Sequence, residues 1–320
     1  MKLTIKELSN KVKEVTFDID AKEVSHEYEH VLVHFKDGVS VKGFRKGKAP
    51  NHLVKEKIDK NKLDQEVLQH LFPKIVEQAI KDHKIIPIMQ PKLKITELSD
   101  GKNFTGTLTF VERPEVELAK YKEIAKKALN EVKKLDEKEK SEKKSEIVTA
   151  KNMNEAKQKA KEGVKESSEK IDSTKQEIPM EQKLLIQIYN QMVDKSKIEL
   201  AEIMKQEEAN RLMGQFLNQL SRLGIQLEDY LKQTGIKIEK IREDYATQAE
   251  RSLKLEFILS EISKVEKLEI DEKEIQAVID NTPDEEQKKM LSTPEQKYYI
   301  ESTLLKNKVA RMLLDIAQKA

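Results

Sequence analysis

The 320-residue chain contains no cysteine and no tryptophan. Without cysteine there is no disulfide, no thiolate nucleophile and no cysteine metal site, a usage that suits a cytosolic protein. Aromatic residues make up only 5%, and the apolar set, at 37%, merely equals the charged set. Such a chain builds long amphipathic helices more readily than one thick core, and its length leaves room for two or three domains. No apolar run is long enough to span a bilayer, and residues 1–7 lack the apolar stretch of a signal peptide. A cytoplasmic location without a membrane partner is therefore expected. Lys and Arg number 60 against 58 Asp and Glu, so global charge does not argue for nucleic acid. There is no glycine-rich phosphate loop, no Gly-x-Ser-x-Gly and no His-Glu-x-x-His. Carboxylates abound, but interspersed with lysine on helix surfaces they read as solvation. No catalytic residue, nucleotide or cofactor is assigned.

Glycine and proline are scarce, at 9 and 8 residues, yet three of them fall in one octet: Gly43-Phe44-Arg45-Lys46-Gly47-Lys48-Ala49-Pro50. Gly43 and Gly47 permit backbone angles closed to other residues, and Pro50 fixes the way out, so this is a shaped loop. No acidic residue intervenes between Asp37 and Glu56, while Lys42, Arg45, Lys46, Lys48 and Lys55 are cationic. Phe44 has too few apolar neighbours to be an obvious core residue. A basic loop with an exposed aromatic reads as a docking tip for an anionic partner; a solvated turn between helices fits the same octet.

Around the loop, Leu3 and Ile5, then Val15, Phe17 and Ile19, alternate with polar residues as in half-buried strands, with a turn at Ser9-Asn10. Asp20 and Glu23 form a capping-box pattern ahead of a helix carrying Val24, Tyr28, Val31, Leu32 and Phe35. Asn51 is expected to cap a short helix. A longer one follows, carrying Leu63, Val67, Leu68, Leu71, Ile75, Val76 and Ile80, which Pro73 is expected to bend or restart. Two further strands, with Leu93 and Ile95 and with Phe104, Leu108 and Phe110, flank a hairpin turn at residues 99–102. His26, His30 and His34 share one helix face. Such a pair can bind zinc or nickel, but no carboxylate or further ligand is evident from the spacing, and no metal site is expected.

From about residue 115 the composition changes. Gly163 is the sole glycine between Gly106 and Gly214, and residues 131–146 are almost entirely Lys, Glu, Asp and Ser. A disordered linker would have this composition, yet two helical stripes survive: Tyr121, Ile124, Ala128, Val132 and Leu135, and Met153, Ala156, Ala160, Val164 and Ile171. From Pro179 onward the pattern is helical throughout. The stripes include Leu184, Leu185, Ile188 and Met192, then Leu212 to Leu223, ended by Gly224. A short helix closes at Gly235, and a long one carries Ile241 to Ile262. Asp271 and Glu274 cap another. The last helix has Thr293, Pro294 and Gln296 at its start and Leu305, Val309, Met312 and Ile316 as its expected buried face.

The octet resembles the signature loop of the trigger factor family, bacterial ribosome-associated chaperones. Pro87-Ile88-Met89-Gln90-Pro91 resembles that family's approach to its third strand. Arg113-Pro114-Glu115-Val116-Glu117-Leu118 with Tyr121-Lys122 resembles its exit from the N-terminal domain, although Ala119 stands where glycine is usual. Residues 219–243 resemble part of its C-terminal domain, and together the similar regions cover most of the chain. The resemblance implies an α+β fold with a small ribosome-binding domain at residues 1–114. A charged, helical connector at 115–178 would take the place of an FK506-binding-type prolyl-isomerase domain. An elongated all-α chaperone domain with arms would occupy 179–320.

It further implies ribosome contact through Gly43, Phe44, Arg45, Lys46, Gly47, Lys48 and Pro50, with ribosomal protein and RNA beside the exit tunnel and unfolded nascent chains as partners. Thin helical arms have little interior, so Met192, Met213, Phe216, Leu220, Tyr245, Phe257 and Met312 become candidates for client contact. A weak homodimer is left open. The rivals are a prolyl isomerase with an unrecognised catalytic domain between about 120 and 178, a non-ribosomal scaffold or holdase, and a periplasmic chaperone of similar architecture.

Overall fold

A computed structural model describes residues 1–134 and 179–319, except Asp37 and Lys46. The chain forms two units, Met1–Glu115 with Glu199–Gln215, and Val116–Ile198 with Phe216–Ala320.

In the first unit, β1 (Lys2–Glu7) and β2 (Val12–Ile19) form a hairpin whose turn places Asn10 and Lys11 at φ of 59° and 58°. With β3 (Lys92–Glu97) and β4 (Phe104–Val111) they make an antiparallel sheet of order β1-β2-β4-β3. The alternation read from the sequence sets the faces. Val15, Phe17 and Ile19 of β2 and Phe104, Leu108 and Phe110 of β4 are all buried. Phe17 lies opposite Gly106, where a Cβ would come within 2.7 Å of both the Phe17 ring and the Lys94 carbonyl oxygen. Glycine is needed there for close approach.

Two helices cover this face. α1 (Ala21–Lys36) buries Val24, Tyr28, Val31 and Leu32. α3 (Lys60–His83) buries Leu63, Val67, Leu71, Ile75 and Ala79. Pro73 neither ends nor restarts α3, which runs through it. The loss of one backbone donor is outweighed by the continuous stripe of buried residues on both sides. Asp59 caps this helix, accepting from the Asn61 amide at 2.8 Å. Between them sits α2 (Asn51–Lys55), whose N-cap is Pro50 in extended conformation. Asn51 is thus the first helical residue and not the cap, and its Oδ1 is buried without a hydrogen-bond partner among the described residues. Residues 99–102 form the expected turn, with Gly101 at φ 79°. From the later chain, the Leu200 carbonyl accepts from Asn10 Nδ2 at 3.4 Å.

The second unit begins with a two-residue ladder, β5 (Val116–Glu117) against β6 (Lys197–Ile198), too short to register as a pattern in sequence. Residues 121–134 are helical (α4) and bury Tyr121, Ile124, Ala128 and Val132 at the expected spacing. Leu135 and the stripe from Met153 to Ile171 lie outside the described residues. α4 packs in one core with α5 (Met180–Lys195), α8 (Ile238–Val265) and α11 (Pro294–Gln318) through Leu184, Ile188, Met192, Ile258, Ile262, Val309 and Leu313.

The expected face of α11 holds in part: Met312 and Ile316 pack against the same core as Val309. Val309 is buried, but its fully buried companions are Leu313 and Ala317, while Leu305, Met312 and Ile316 are half-buried. The stripe runs with a strict four-residue step, and a neighbouring apolar row made the phase ambiguous.

α6 (Glu202–Arg222) belongs to the first unit up to Gln215 and to the second from Phe216; Gly224 and Gly235, at φ of 70° and 68°, follow α6 and α7 (Leu227–Thr234) and lead to α8. α9 (Glu272–Asp280) and α10 (Glu285–Leu291) complete the unit. A small cluster of Ile275, Ile279 and Ile300 joins α9 to α11. Asp271 and Thr293 act as the side-chain caps expected of them. Among the described residues, no helix is long and apolar enough to cross a membrane.

Candidate functional site

The basic loop leaves α1 at Gly38 and ends at Pro50. Its two halves are successive turns. Phe44 N–H donates to the Val41 carbonyl at 3.1 Å, with Gly43 at φ 89° as the third residue; Lys48 N–H donates to the Arg45 carbonyl at 2.9 Å, with Gly47 at φ 79°. That third position requires positive φ in a type II turn, and a Cβ at Gly43 would meet nothing within 4 Å. Backbone angle, not crowding, makes that residue a glycine. Val39 and Val41 pack on the core from one side of the loop, and Ala49, 6% exposed, does so from the other.

Anchored at both ends, the loop holds its tip away from the core. Phe44 is 45% exposed, a large apolar surface in water. Lys42, Arg45 and Lys48 are exposed, and among the described residues none has a carboxylate partner. Lys46 lies outside the described residues.

The far side of the loop is held by α2. Lys55 forms an ion pair with Asp100 of the β3–β4 hairpin, and its Nζ lies 5.7 Å from the centre of the Tyr28 ring. Asp100 also gains from the Gly101 amide and Ser25. Burial pushes its carboxyl up, but these contacts prevail and hold it below its ordinary value.

A second polar cluster lies between α1 and α3. The Glu27 carboxylate, only 7% exposed, receives Lys74 Nζ at 2.7 Å and lies 2.9 Å from His70 Nδ1 and 3.6 Å from His30 Nδ1. Burial raises the Glu27 carboxyl, and the Lys74 and His70 hydrogen bonds and charges reverse this, leaving it below its ordinary value. His26 is not part of the group. The carboxylate that the spacing of α1 left unseen is Glu27 itself, and the further imidazole comes from α3.

Of the apolar residues singled out in the helical half, Met192 is fully buried and Leu220 is 5% exposed, so both are packing residues. Met192 packs in the core shared with α4, α8 and α11. Met213, Phe216, Tyr245, Phe257 and Met312 are half-buried. Phe216 stacks edge-on to Tyr230 at 5.3 Å and tilts against Tyr245 at 5.7 Å, an aromatic joint among α6, α7 and α8.

The most exposed large apolar side chains of the helical half lie elsewhere: Tyr298 (74%), Tyr299 (67%), Met290 (67%) and Leu223 (66%). Sequence reasoning missed Tyr298 and Tyr299, although two adjacent aromatics on a helix stand about 100° apart and cannot share a narrow stripe. Tyr298 edges a small cavity of about 100 Å³ beside Leu259 and Leu305. A larger open groove of about 670 Å³ runs between α5 and α8, lined by Tyr189, Val193, Leu255 and the polar Asp244, Gln248 and Arg251.

Comparison with known proteins identifies this arrangement. Residues 1–147 match the family model of the bacterial trigger factor protein, and residues 161–315 that of the trigger factor C-terminus. The trigger factor of Geobacter metallireducens is 34% identical over 122 residues, 38% of this chain and 28% of that protein. That of Bdellovibrio bacteriovorus is 32% identical over 140 residues, 43% of this chain and 32% of that protein. The aligned part thus spans under a third of each relative's length.

A solved structure, from work on promiscuous substrate recognition in folding and assembly by the trigger factor chaperone, matches 98% of this chain and 99% of its own. Its TM-score is 0.59 at 13% identity, a likeness of fold. The α+β N-terminal region and helical C-terminal region are those of this fold, and the chain belongs to the trigger factor family.

Proposed function

We propose that the protein is an ATP-independent chaperone that docks on the ribosome beside the polypeptide exit tunnel and shields nascent chains during folding and export. Phe44, Arg45 and Lys46 make the contact, on a loop shaped by Gly43, Gly47 and Pro50, with Lys48 adding charge. The observation that carries the reading is Phe44, 45% exposed at a tip whose described cations have no carboxylate partner among the described residues. An aromatic flanked by unneutralised cations suits a surface of protein and RNA phosphate.

In this reading residues 1–114 dock, 115–178 connect without an isomerase domain, and 179–320 hold clients. The helix at 121–134 supports the connector reading. Client contact is weak and distributed, because a holdase without a nucleotide cycle releases its client spontaneously. The test is co-sedimentation of the full chain with ribosomes. Replacing Phe44, Arg45 and Lys46 together with alanine should abolish it while the helical circular-dichroism signal stays intact. Wild-type binding should weaken as salt rises. Undiminished binding by the triple variant sinks the docking claim.

A further inference from the structure

We propose that Glu27, His30 and His70 form a binding site for a transition-metal dication of the zinc and nickel class. The site is independent of the ribosome reading and involves residues that no step of that reading uses. α1 contributes Glu27 and His30, one turn apart on one face, and α3 contributes His70. One ligand atom from each residue falls within 4.8 Å of the others.

The two separations from the carboxylate are close to those of coordination, and the two imidazoles lie within 4.8 Å of each other. Two ligands each about 2.0–2.1 Å from one tetrahedral ion stand about 3.3 Å apart. Glu27 Oε1 lies 2.9 Å from His70 Nδ1 and 3.6 Å from His30 Nδ1, on either side of that value. An ion near Oε1 therefore needs adjustments of a few tenths of an ångström at these two pairs, which side-chain rotation supplies.

The donor set decides the metal. Two imidazoles and one carboxylate suit zinc, nickel, cobalt or copper, whereas magnesium and calcium demand shells of oxygen. Lys74 remains on the other carboxylate oxygen, Oε2, at 2.7 Å, where it orients Glu27 as an outer-shell partner. Its side chain is 58% exposed, so its charge is well solvated beside an incoming cation. A neighbouring imidazole, His34, has its ring centre 5.1 Å from that of His30 and 6.2 Å from that of His70, and water can take the fourth position. The bound ion would staple α1 to α3 one to two turns before Lys36, where α1 gives way to the basic loop.

The test uses the full-length protein, stripped with chelator and titrated calorimetrically with zinc chloride and separately with nickel chloride. One equivalent should bind, and magnesium and calcium in excess should not displace it. The paired substitution His30→Ala with His70→Ala should weaken binding by at least the roughly tenfold that even an outer-shell loss costs. His30→Gln alone, at a residue whose side chain is 56% exposed and so safe for folding, should weaken it in the same direction. His26→Ala with His52→Ala, both exposed and outside the group, should leave it unchanged. Zinc should raise the unfolding midpoint of the wild type and not of the His30/His70 variant. Acidification should release the ion, since imidazole and carboxylate ligands bind a metal only without the competing proton. Absence of binding by the wild type, or binding equally tight in the His30/His70 variant, overturns the proposal and leaves the cluster a hydrogen-bond network alone.

Discussion

Tyr28 on α1 donates its phenolic hydroxyl to Asp64 on α3 at 2.5 Å, at the seam where the two helices meet. Its ring is buried, with Lys55 above it, and burial followed by the Asp64 hydrogen bond and charge raises the phenol far above its ordinary range. The same side chain thus ties α1 to α3 and touches α2, the helix into which the basic loop runs. Tyr28→Phe keeps the packing and removes the bond to a half-buried carboxylate. We expect a loss of about 1–2 kcal/mol in denaturant unfolding with unchanged m. No loss of stability would mean that the hydroxyl exchanges freely with water.

In the second unit Tyr121 donates its hydroxyl to Glu266, which also receives Lys122 Nζ at 2.7 Å. Burial, then the hydrogen bond and charge of Glu266, pushes the Tyr121 phenol from 10.0 up to about 12. A pKa raised in the folded state favours the protonated form there. Its contribution to stability is therefore complete below pH 10 and is lost as pH climbs through about 12. Tyr121→Phe should be less stable than wild type at neutral pH, and the gap should close between those two values. A gap that stays constant across the alkaline range would show that the phenol does not titrate differently in the folded protein.

Most of the first unit was legible because its signals are local. Period-two alternation gives Val15, Phe17 and Ile19 their face, and Gly43 and Gly47 mark the two positions of positive φ. What was illegible depends on partners distant in sequence. Glu27 looks like one more acid on a charged helix until α3 brings His70 and Lys74 against it, 43 and 47 residues on. Pro73 reads as a point of bending or restart because a local rule cannot weigh the buried stripe on both sides, across which α3 is continuous. Met192 shows the limit for binding surfaces. Helical spacing says that a residue points toward an apolar partner, but not whether that partner belongs to the same molecule.

That ambiguity yields the last prediction, which rests on the proposed chaperone role. Met192 is fully buried against α4, α8 and α11, so Met192→Ala leaves a cavity and should cost about 2–5 kcal/mol. Any loss of client protection by that variant should track its loss of fold. Tyr298, Tyr299 and Met290 are each about two-thirds exposed or more, at the start of α11 and near the end of α10. Exchanging all three for serine removes apolar surface from water without opening a cavity, and each surface change should shift stability by no more than about 0.5 kcal/mol. If this patch holds clients, the triple variant should unfold at nearly the wild-type denaturant concentration yet suppress aggregation of an unfolded protein less well, without ATP in either case. Ribosome co-sedimentation should be unaffected, since the basic loop is untouched. A triple variant that protects as well as wild type would move the client surface elsewhere, with the groove between α5 and α8 the next place to substitute.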